Sequence, residues 1–398
     1  MGALKAMEKI YYVGVQDYDL RVFDIIMHSD YGTSYNSYLV RGSEKTALFE
    51  TSKLEFWDEY IANIKEVCDP SEIDYIVVNH TEPDHAGCME RLLELSPNAQ
   101  VIGSATALTF LKEIVNHPIN GRAVTEKDTI DLGGLTLQFL TVPFLHWPDS
   151  MYTYIPELKA LFTCDSFGCH YADKRVFNDL IDGDFTDAYH YYFTHIMGPF
   201  KVPFVLKALD KIKDLEIEFV GNGHGPVLRT NIQHYFDLYR KWCEVPKRKE
   251  KKVAIAYVSA YGYTKLLAQT IAKGIEGTGV TVEMFDLVYD DNQKAKQAIA
   301  DSDGFLLGTP TLLSDALPPI YEMLIGLNPV IHKGKLAGVF GSYGWSGEAV
   351  PNLTVRMEQL KLSMPLEGMK VRFKPTQEDL KQAEKYGQQF GKLVLGKE

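Results

Sequence analysis

Four side chains that bind metal ions or move protons are crowded into six residues of this sequence. The stretch VVNHTEPDHAGC, residues 77–88, places His80, Glu82, Asp84 and His85 directly after an apolar run. Imidazoles and carboxylates are the nitrogen and oxygen ligands of zinc and of first-row redox metals. A strand that leads into a tight polar loop can turn several side chains towards one point. Because unpaired carboxylates are seldom buried, the cluster predicts a metal site.

Three more candidate ligands follow other strand-like runs. His146 follows TLQFLTVPFL, Asp165 follows LKALFTC, and His224 follows EIEFVGNG, whose glycines permit a sharp turn. We expect four strands to deliver the seven ligands to one edge of a sheet. Seven ligands are too many for one tetrahedral zinc ion and suit two metals that share a carboxylate.

Carboxylates make up three of the seven candidate ligands. Oxygen ligands carry charge that stabilises ferric as well as ferrous iron, whereas a set richer in imidazole suits zinc hydrolysis. The deciding position is residue 82, where a more familiar metal motif would have histidine. Glu82 therefore favours a redox metal.

A second group of residues predicts a phosphate site. The strand-like run VAIAYV, residues 253–258, leads directly into a turn and a helical pattern. Such a turn offers hydroxyl and N–H groups at the positive end of a helix dipole. The turn contains Ser259, Ala260, Tyr261, Gly262, Tyr263 and Thr264. It lacks the Walker lysine and the G-x-G-x-x-G pattern, so ATP and NAD are disfavoured, and an ordinary helix N-cap is the alternative.

Two further loops leave the carboxyl ends of strands, where open α/β sheets bind their ligands. Tyr343 and Trp345 would lie against a flat ring, with packing at the rim as the alternative. The glycines of the second loop permit a close approach of the backbone. The loops contain Thr309, Pro310, Thr311, Leu312 and Leu313, and then Ser342, Tyr343, Gly344, Trp345 and Gly347.

The elements that must position these residues fall into two regions. In the first, consecutive strands near residues 137 and 160 have no helix between them, which predicts a partly antiparallel sheet with helices outside it. From residue 253 onwards strands and helices alternate, which predicts a doubly wound parallel sheet. Pro246 and the charged run that follows it indicate a linker. We therefore predict domains at residues 1–248 and 249–398.

Composition narrows the class of protein. The chain has 398 residues, enough for two domains, of which 45% are hydrophobic and 24% charged. Its formal charge of −12 argues against a nucleic-acid-binding protein. We find no signal peptide and no run of the ~18 apolar residues that would cross a membrane. Five widely spread cysteines suit a reducing compartment, so we expect a cytoplasmic protein.

The motifs HTEPDH, PFLHWPDSM, FTCDSFG and GNGHGP, with the three loops of the second region, resemble those of the flavodiiron proteins, or A-type flavoproteins. The resemblance covers essentially the whole chain. It implies an α/β protein with an N-terminal metallo-β-lactamase-like αββα sandwich, followed by a flavodoxin-like doubly wound parallel sheet. Hydrolases of the metallo-β-lactamase superfamily have the motif H-x-H-x-D-H. This sequence has Glu82 in place of the second histidine, as the flavodiiron branch does.

The resemblance also implies the cofactors, which are FMN and two non-haem iron ions. One iron would take His80, Glu82 and His146, the other would take Asp84, His85 and His224, and Asp165 would bridge them. The FMN phosphate would lie on residues 259–264, and its ring between the other two loops. His170 and Tyr192 resemble catalytic residues beside the metals, with a hydrogen-bonded loop histidine and a core tyrosine as the alternatives.

The function implied by the resemblance is an oxidoreductase that reduces O2 to water, NO to N2O, or both. Electrons would pass from a reduced donor, expected to be rubredoxin or another small carrier, through FMN to the irons. A head-to-tail homodimer, or a dimer of such dimers, would bring the flavin of one subunit beside the irons of the other. No residue in the sequence chooses between O2 and NO.

Two other functions stay open at this point. One is a zinc hydrolase that carries a flavodoxin domain, which metal analysis would distinguish. The other is an electron carrier whose first domain is a degenerate docking module. The intact set of seven ligands argues against degeneracy.

Overall fold

The structure, a computed structural model, describes residues 2–24, 27–244, 250–325, 327 and 329–397. The chain divides into two compact units, of which the first ends at Val245 and the second begins at Pro246. The predicted domain boundary between residues 248 and 249 lies outside the described residues.

The first unit is built from short strands and seven α-helices within its described residues. The strands are β1 (Leu4–Met7), β2 (Ile10–Tyr12), β3 (Val15–Asp17), β4 (Val22–Phe23), β5 (Met27–His28), β6 (Thr33–Tyr35), β7 (Tyr38–Arg41), β8 (Thr46–Phe49), β9 (Tyr75–Val78), β10 (Gln100–Gly103), β11 (Gly121–Ala123), β12 (Thr129–Asp131), β13 (Thr136–Thr141), β14 (Met151–Ile155), β15 (Ala160–Cys164) and β16 (Phe219–Asn222). The helices are α1 (Trp57–Val67), α2 (Pro83–Ala86), α3 (Met89–Leu95), α4 (Ala105–Val115), α5 (Thr186–Tyr192), α6 (Leu206–Ile212) and α7 (Ile232–Trp242).

Two mixed sheets form the centre of the first unit. One has seven strands in the order β1-β2-β7-β8-β9-β10-β11, and the other has five in the order β12-β13-β14-β15-β16. In the first sheet the strands from β8 to β11 run parallel to one another, and in the second β15 and β16 are parallel. The other neighbouring strands pair antiparallel. Two small ribbons, β3–β6 and β4–β5, lie outside the sheets.

The two sheets pack face to face over an apolar core. The rings of Phe49 on β8 and Phe162 on β15 stack with centroids 3.9 Å apart, and Tyr38 on β7 meets Phe162 edge-on. The outer face of the seven-stranded sheet packs against α1, α3 and α4. On the outer side of the five-stranded sheet, Phe236 and Tyr239 of α7 pack against Phe167. The arrangement is the αββα sandwich that the resemblance predicts.

The prediction that all seven candidate ligands lie at one edge of a single sheet is wrong. Strand β9, which precedes the HTEPDH motif, belongs to the seven-stranded sheet, whereas β13, β15 and β16 belong to the five-stranded sheet. In a sandwich the ends of strands from both sheets meet at the same end of the core. The order of strands along the chain does not reveal which sheet each strand joins.

The second unit alternates strands and helices as predicted. Its strands are β17 (Lys252–Tyr257), β18 (Thr281–Asp286), β19 (Gly304–Pro310), β20 (Leu336–Tyr343) and β21 (Met369–Arg372). Its helices are α8 (Tyr263–Glu276), α9 (Asn292–Asp301), α10 (Pro318–Leu324), α11 (Pro329–His332), α12 (Ala349–Gln359) and α13 (Gln377–Val394). The short helix α11 is the one that the periodicity does not predict.

A five-stranded parallel sheet, in the order β18-β17-β19-β20-β21, forms the centre of the second unit. One face packs against α9, α10 and α12, and the other against α8 and α13. The chain reverses direction across the sheet between β17 and β19, and ligands bind open α/β sheets at such a switch point. The doubly wound parallel sheet is confirmed.

The first unit holds all five cysteines of the chain. All five cysteines are free and buried, and burial raises the pKa of each thiol, to about 11 for Cys68 and Cys243 and to about 12 for Cys88. None of the helices formed by the described residues combines the length and the apolarity needed to span a bilayer.

The N-terminus of α13 generates the first prediction. Thr376 accepts a hydrogen bond from the Asp379 N–H, and the Asp379 carboxylate accepts in return from the Thr376 N–H, which is a capping box. Thr376→Ala should lower the free energy of unfolding by about 1 kcal/mol, measured by urea denaturation followed by circular dichroism. Thr376→Ser is the matched control and should retain most of the stability. Equal stability of the Ala variant and the wild type would contradict the prediction.

Candidate functional site

The seven candidate metal ligands converge in the first unit. His80 and Glu82 lie in the loop after β9, whereas Asp84 and His85 lie on the short helix α2. His146 lies in the loop after β13. Asp165 follows β15 directly, and His224 follows β16. Five of the seven candidate ligands therefore follow the ends of strands, and the other two, Asp84 and His85, lie on one turn of helix.

The ligand atoms form two clusters. In the first, one atom from each of His80, Glu82, His146 and Asp165 lies within 4.8 Å of the others. The second cluster is formed in the same way by Asp84, His85 and His224. This grouping is the one that the resemblance predicts for the two metals.

The carboxylate of Asp165 lies between the two clusters. Its Oδ2 is 3.4 Å from Nε2 of His80 and 3.3 Å from Nε2 of His146. Its Oδ1 is 3.0 Å from Nε2 of His85 and 3.4 Å from Nε2 of His224. Each oxygen thus faces one pair of imidazoles. Burial raises the pKa of Asp165, but the neighbouring imidazoles of His85, His146 and His224 outweigh burial and hold the pKa well below its usual value.

The distances within the clusters fit bound metal ions. Two ligands at ~2.1 Å from one ion, with an angle of ~90–110° at the ion, lie ~3.0–3.4 Å apart. Nε2 of His146 lies 2.9 Å from Oε2 of Glu82, and Nε2 of His80 lies 3.3 Å from the same oxygen. Nε2 of His85 and Nε2 of His224 are 3.1 Å apart. Two facing ring nitrogens cannot both donate to each other, but both can give lone pairs to one cation.

Asp84 gives a second indication that these residues are arranged to hold a cation. Its Oδ2 lies 3.3 Å from Nε2 of His85 and 3.2 Å from Nε2 of His224, yet neither buried oxygen of Asp84 accepts a hydrogen bond from the described residues. A buried carboxylate without hydrogen bonds is costly. A metal ion in each cluster would satisfy these groups.

Residues behind the clusters fix the imidazole rings. Nδ1 of His80 lies 3.2 Å from Oδ2 of Asp149, which also accepts from the N–H and the hydroxyl of Thr81, both at 2.8 Å. Nδ1 of His224 lies 2.6 Å from the carbonyl oxygen of Ser34. A metal-binding histidine usually donates its other ring nitrogen in this way, which leaves Nε2 free as the ligand atom.

One side of the site is open to solvent. The side chains of Glu82 and His146 are 15% and 16% exposed, whereas those of His80 and His85 are fully buried. The carboxylate of Asp24, in the turn after β4, lies close to that of Glu82. Burial and the carboxylates of Glu82 and Asp84 raise the pKa of Asp24 to about 6. The first cluster is therefore somewhat more exposed than the second, in which the side chain of Asp84 is 10% exposed.

The two predicted catalytic residues, His170 and Tyr192, lie beside the second cluster but outside it. Nδ1 of His170 is 2.9 Å from the hydroxyl of Thr33, and its ring lies edge-on to that of His224, with centroids 5.2 Å apart. Burial and the neighbouring His224 hold the pKa of His170 well below its usual value. The ring of Tyr192 is buried 4.9 Å from that of His170. Their catalytic role stays a prediction.

Two glycines allow the backbone around His224 to approach its neighbours. A Cβ at Gly223 would lie 2.8 Å from Cε1 of His85 and 3.0 Å from the carbonyl carbon of Cys164. Gly225 has φ +72°, and a Cβ there would lie 2.4 Å from the carbonyl oxygen of Cys169. The second cluster therefore requires glycine on both sides of His224.

The second unit has a cavity of about 390 Å³ at the carboxyl ends of β17, β19 and β20. Eleven predicted residues line it: Ala260, Tyr261, Tyr263, Pro310, Thr311, Leu312, Leu313, Ser342, Tyr343, Gly344 and Trp345. Five others, Ser259, Gly262, Thr264, Thr309 and Gly347, are not among the lining residues. Their part in binding stays a prediction.

The turn before α8 has the features of a phosphate site. Gly262 has φ +82°, a conformation that suits glycine, and α8 begins at the next residue. The hydroxyls of Thr264 and Ser342 lie 2.8 Å apart and join the first and third loops. Ser259 accepts a hydrogen bond from the N–H of Lys265. Free N–H groups at the start of a helix favour an anion such as a phosphate.

Several residues at the two sites could not be found from the sequence. Asp149 lies close to His146 in the chain, but no spacing rule marks it as the partner of His80. Asp24 lies far from every motif. Phe373 lines the cavity together with Ser314 and Ser346, and it follows a strand that has no predicted part in binding.

A metallo-β-lactamase-like domain with two adjoining ligand clusters, joined to a flavodoxin-like domain with a cavity for a flat ring, defines a flavin- and metal-binding oxidoreductase. Comparisons with known proteins agree. Residues 33–225 match the family model for the ODP family beta lactamase, and residues 255–387 match that for flavodoxin.

Curated relatives extend over the whole chain. The flavo-diiron protein FprA2 of Clostridium acetobutylicum is 42% identical over 402 residues, which cover 99% of this chain and 100% of that protein. The type A flavoprotein fprA of Rhodobacter capsulatus is 40% identical over 404 residues, with coverage of 100% and 92%. The chain belongs to the flavodiiron protein family.

Solved structures give the same result. The flavodiiron protein from Giardia intestinalis is similar with a TM-score of 0.66 and 30% identity, covering 100% of this chain and 97% of that one. Rubredoxin oxygen:oxidoreductase from Desulfovibrio gigas is similar with a TM-score of 0.69 and 29% identity, covering 99% of each chain. The family carries FMN and a non-haem diiron centre, and both are cofactors of this chain.

The close approach at Gly223 generates the second prediction. Gly223→Ala should displace the imidazole of His85, because a Cβ would lie 2.8 Å from its ring. The purified variant should contain less than half of the metal of the wild type, measured by plasma mass spectrometry. Gly277→Ala is the control, since a Cβ there meets its neighbours at ordinary distances of 3.4 Å. Full metal content in the Gly223 variant would disprove the argument.

Asp149 generates the third prediction. Asp149→Asn weakens the acceptor that orients His80, so metal affinity should fall ~10- to 100-fold in competition with a chelator. Asp128→Asn is a matched control, because Asp128 accepts from the N–H and hydroxyl of Thr125 at the surface, far along the chain from any ligand. An Asp149 variant that holds metal as tightly as the Asp128 variant would show that the contact does not support the site.

Proposed function

We propose that this protein passes electrons from a reduced donor through FMN to a non-haem diiron site, which reduces O2 to water, NO to N2O, or both. The position of Asp165 carries the proposal, since its two oxygens face two separate ligand clusters. A flavodoxin-like unit in the same chain offers the site for the electron-transferring cofactor. FMN supplies stepwise transfer of two electrons, and the iron pair supplies the sites at which a diatomic gas is bound and reduced.

The residues proposed as iron ligands follow the two clusters. His80, Glu82 and His146 hold one iron, Asp84, His85 and His224 hold the other, and Asp165 bridges them. Three carboxylates among seven ligands favour iron, because oxygen ligands stabilise the ferric as well as the ferrous state. Glu82 and His146 stand at the solvent opening, so gas and water would enter beside them.

The proposed flavin contacts lie on the three loops of the second unit. Residues 259–264 hold the phosphate through hydroxyl and N–H groups at the start of α8. The loops at residues 309–313 and 342–347 hold the ring. The exposure of Trp345 and Leu313, at 95% and 102%, supports this proposal, because bare apolar side chains beside a cavity favour an apolar ligand.

Partner, assembly and location are also proposals. An electron donor is required by the reaction, and we propose rubredoxin because the similar Desulfovibrio gigas protein is named a rubredoxin oxygen:oxidoreductase. A head-to-tail homodimer, or a dimer of dimers, is proposed from the resemblance to the family. A cytoplasmic location is proposed because all five cysteines are free thiols.

An anaerobic assay tests the function. The purified protein should contain about two irons and one FMN per chain, and the reduced protein should be reoxidised by O2, by NO, or by both when each is offered separately. Asp165→Ala should bind FMN as the wild type does but lose gas reduction, because the two clusters lose their shared ligand. A protein that holds only zinc and hydrolyses a thioester or lactam would be a hydrolase. Full gas reduction by the Asp165 variant would contradict the diiron assignment.

A further inference from the structure

The residue after β21 has an unusual backbone and an unusual exposure. Phe373 has φ +59°, a left-handed conformation that a bulky side chain rarely adopts, and its ring is 58% exposed. Neither burial nor a glycine-like turn explains this placement. A strained residue held in position by its surroundings often marks a site that binds something.

Phe373 is joined to the third loop of the cavity by its backbone and by its ring. Its N–H donates to the carbonyl oxygen of Tyr343 at 2.6 Å. A Cβ at Gly344 would lie 2.8 Å from the Phe373 ring, so the ring rests directly on the glycine backbone. Glycine at position 344 thus permits the contact.

Arg372 strengthens the same junction. Its Nε donates to the carbonyl oxygen of Gly344 at 3.0 Å, and its guanidinium lies 5.9 Å from the centroid of the Phe373 ring. Arg372, the last residue of β21, and Phe373, the residue after it, are therefore both joined to the loop after β20. Because β21 neighbours β20 in the sheet, this junction lies at the carboxyl edge where the cavity opens.

The ring of Phe373 faces the cavity with other exposed apolar side chains. Tyr261 is 82% exposed, Trp345 is 95% exposed, and both line the same cavity. Leu313, on the second loop, is exposed and also has a positive φ of +54°. Apolar side chains held on strained backbone around one cavity are arranged to contact a flat apolar ligand.

We propose that Phe373 is a fourth contact of the flavin, in addition to the three loops, and that Arg372 positions the loop beneath the ring. The proposal rests on the proposed function, since it takes the cavity to be the FMN site. Phe373 would pack against the isoalloxazine. Arg372 lies one hydrogen bond away from Gly344, which lines the cavity, so its positive charge would favour the anionic reduced form of FMN and raise the potential at which FMN is reduced.

FMN titration of the full-length apoprotein tests the role of Phe373. Phe373→Ala should raise the FMN dissociation constant about tenfold, measured by quenching of flavin fluorescence, because an aromatic contact is lost. Phe373→Tyr should keep the wild-type value. Tyr289→Ala is the matched control, since Tyr289 is an exposed aromatic residue, 84% accessible, outside the cavity lining.

The outcomes separate this inference from the proposed function. If the wild type binds no FMN, the proposed function fails. If the wild type binds FMN and Phe373→Ala binds it within twofold as tightly, only the fourth contact fails. A Phe373 variant that sediments as a smaller species, with FMN affinity unchanged, would show that the ring contacts another copy of the chain, which also overturns the proposal.

Arg372 is tested by the reduction potential of bound FMN. Arg372→Gln should shift the potential to more negative values, because the positive charge is removed. Arg372→Lys keeps the charge but loses the hydrogen bond from Nε to Gly344, so it should keep the potential while weakening FMN binding. Equal potentials in the Gln variant and the wild type would overturn the electrostatic part of the proposal.

Discussion

One buried carboxylate, that of Asp165, links the two ligand clusters of the first unit. Asp165 is 1% exposed and has two imidazoles within 3.4 Å of each oxygen. Burying so many polar groups is unfavourable unless each charge is compensated. Burial of the three carboxylates and four imidazoles becomes favourable when a cation lies within each cluster. Metal binding and the stability of this end of the sandwich are therefore coupled, as in other proteins whose ligands lack a partner without the metal.

The two clusters are chemically unequal although they share Asp165. Aromatic rings surround His224: Phe23 lies at 5.5 Å, Tyr35 at 5.9 Å and Tyr192 at 5.9 Å, measured between ring centroids. Glu82 and His146, by contrast, are partly in contact with solvent. A charge in the enclosed cluster is screened less than one at the opening. The structure thus offers one more enclosed and one more exposed metal position, joined by a single carboxylate, which suits a reaction that must admit a gas and release water.

The seven candidate ligands can be predicted from the sequence because their chemistry is local. A crowded motif such as HTEPDH, and single acids or histidines at the ends of apolar runs, can be recognised without knowing the fold. The same reasoning assigned all the ligands to one sheet, because strand order carries no information about which sheet a strand joins. The contact of His80 with Asp149, and that of Glu82 with Asp24, depend on the packing of loops. Phe373 was missed because its left-handed backbone is set by its neighbours rather than by its own type.

The alternation of strands and helices in the second unit was easier to predict, because each element there has its own periodicity and each strand pairs in parallel. The three loops are predicted to bind a ligand by the rule that ligands bind at the carboxyl ends of such strands. Which of their residues line the cavity was not predictable, since Thr264 and Thr309 are buried and outside the lining, whereas Thr311, of the same type, lines it.

The sheltered thiols have a consequence for a protein that handles reactive gases. Nitrosation and oxidation of cysteine both proceed fastest through an accessible thiolate. All five cysteines are buried with raised pKa values, so they stay protonated and out of contact with solvent. Even Cys164, adjacent in sequence to the bridging aspartate, is 2% exposed. The five thiols are therefore protected from reaction with nitrogen oxides and with partially reduced oxygen.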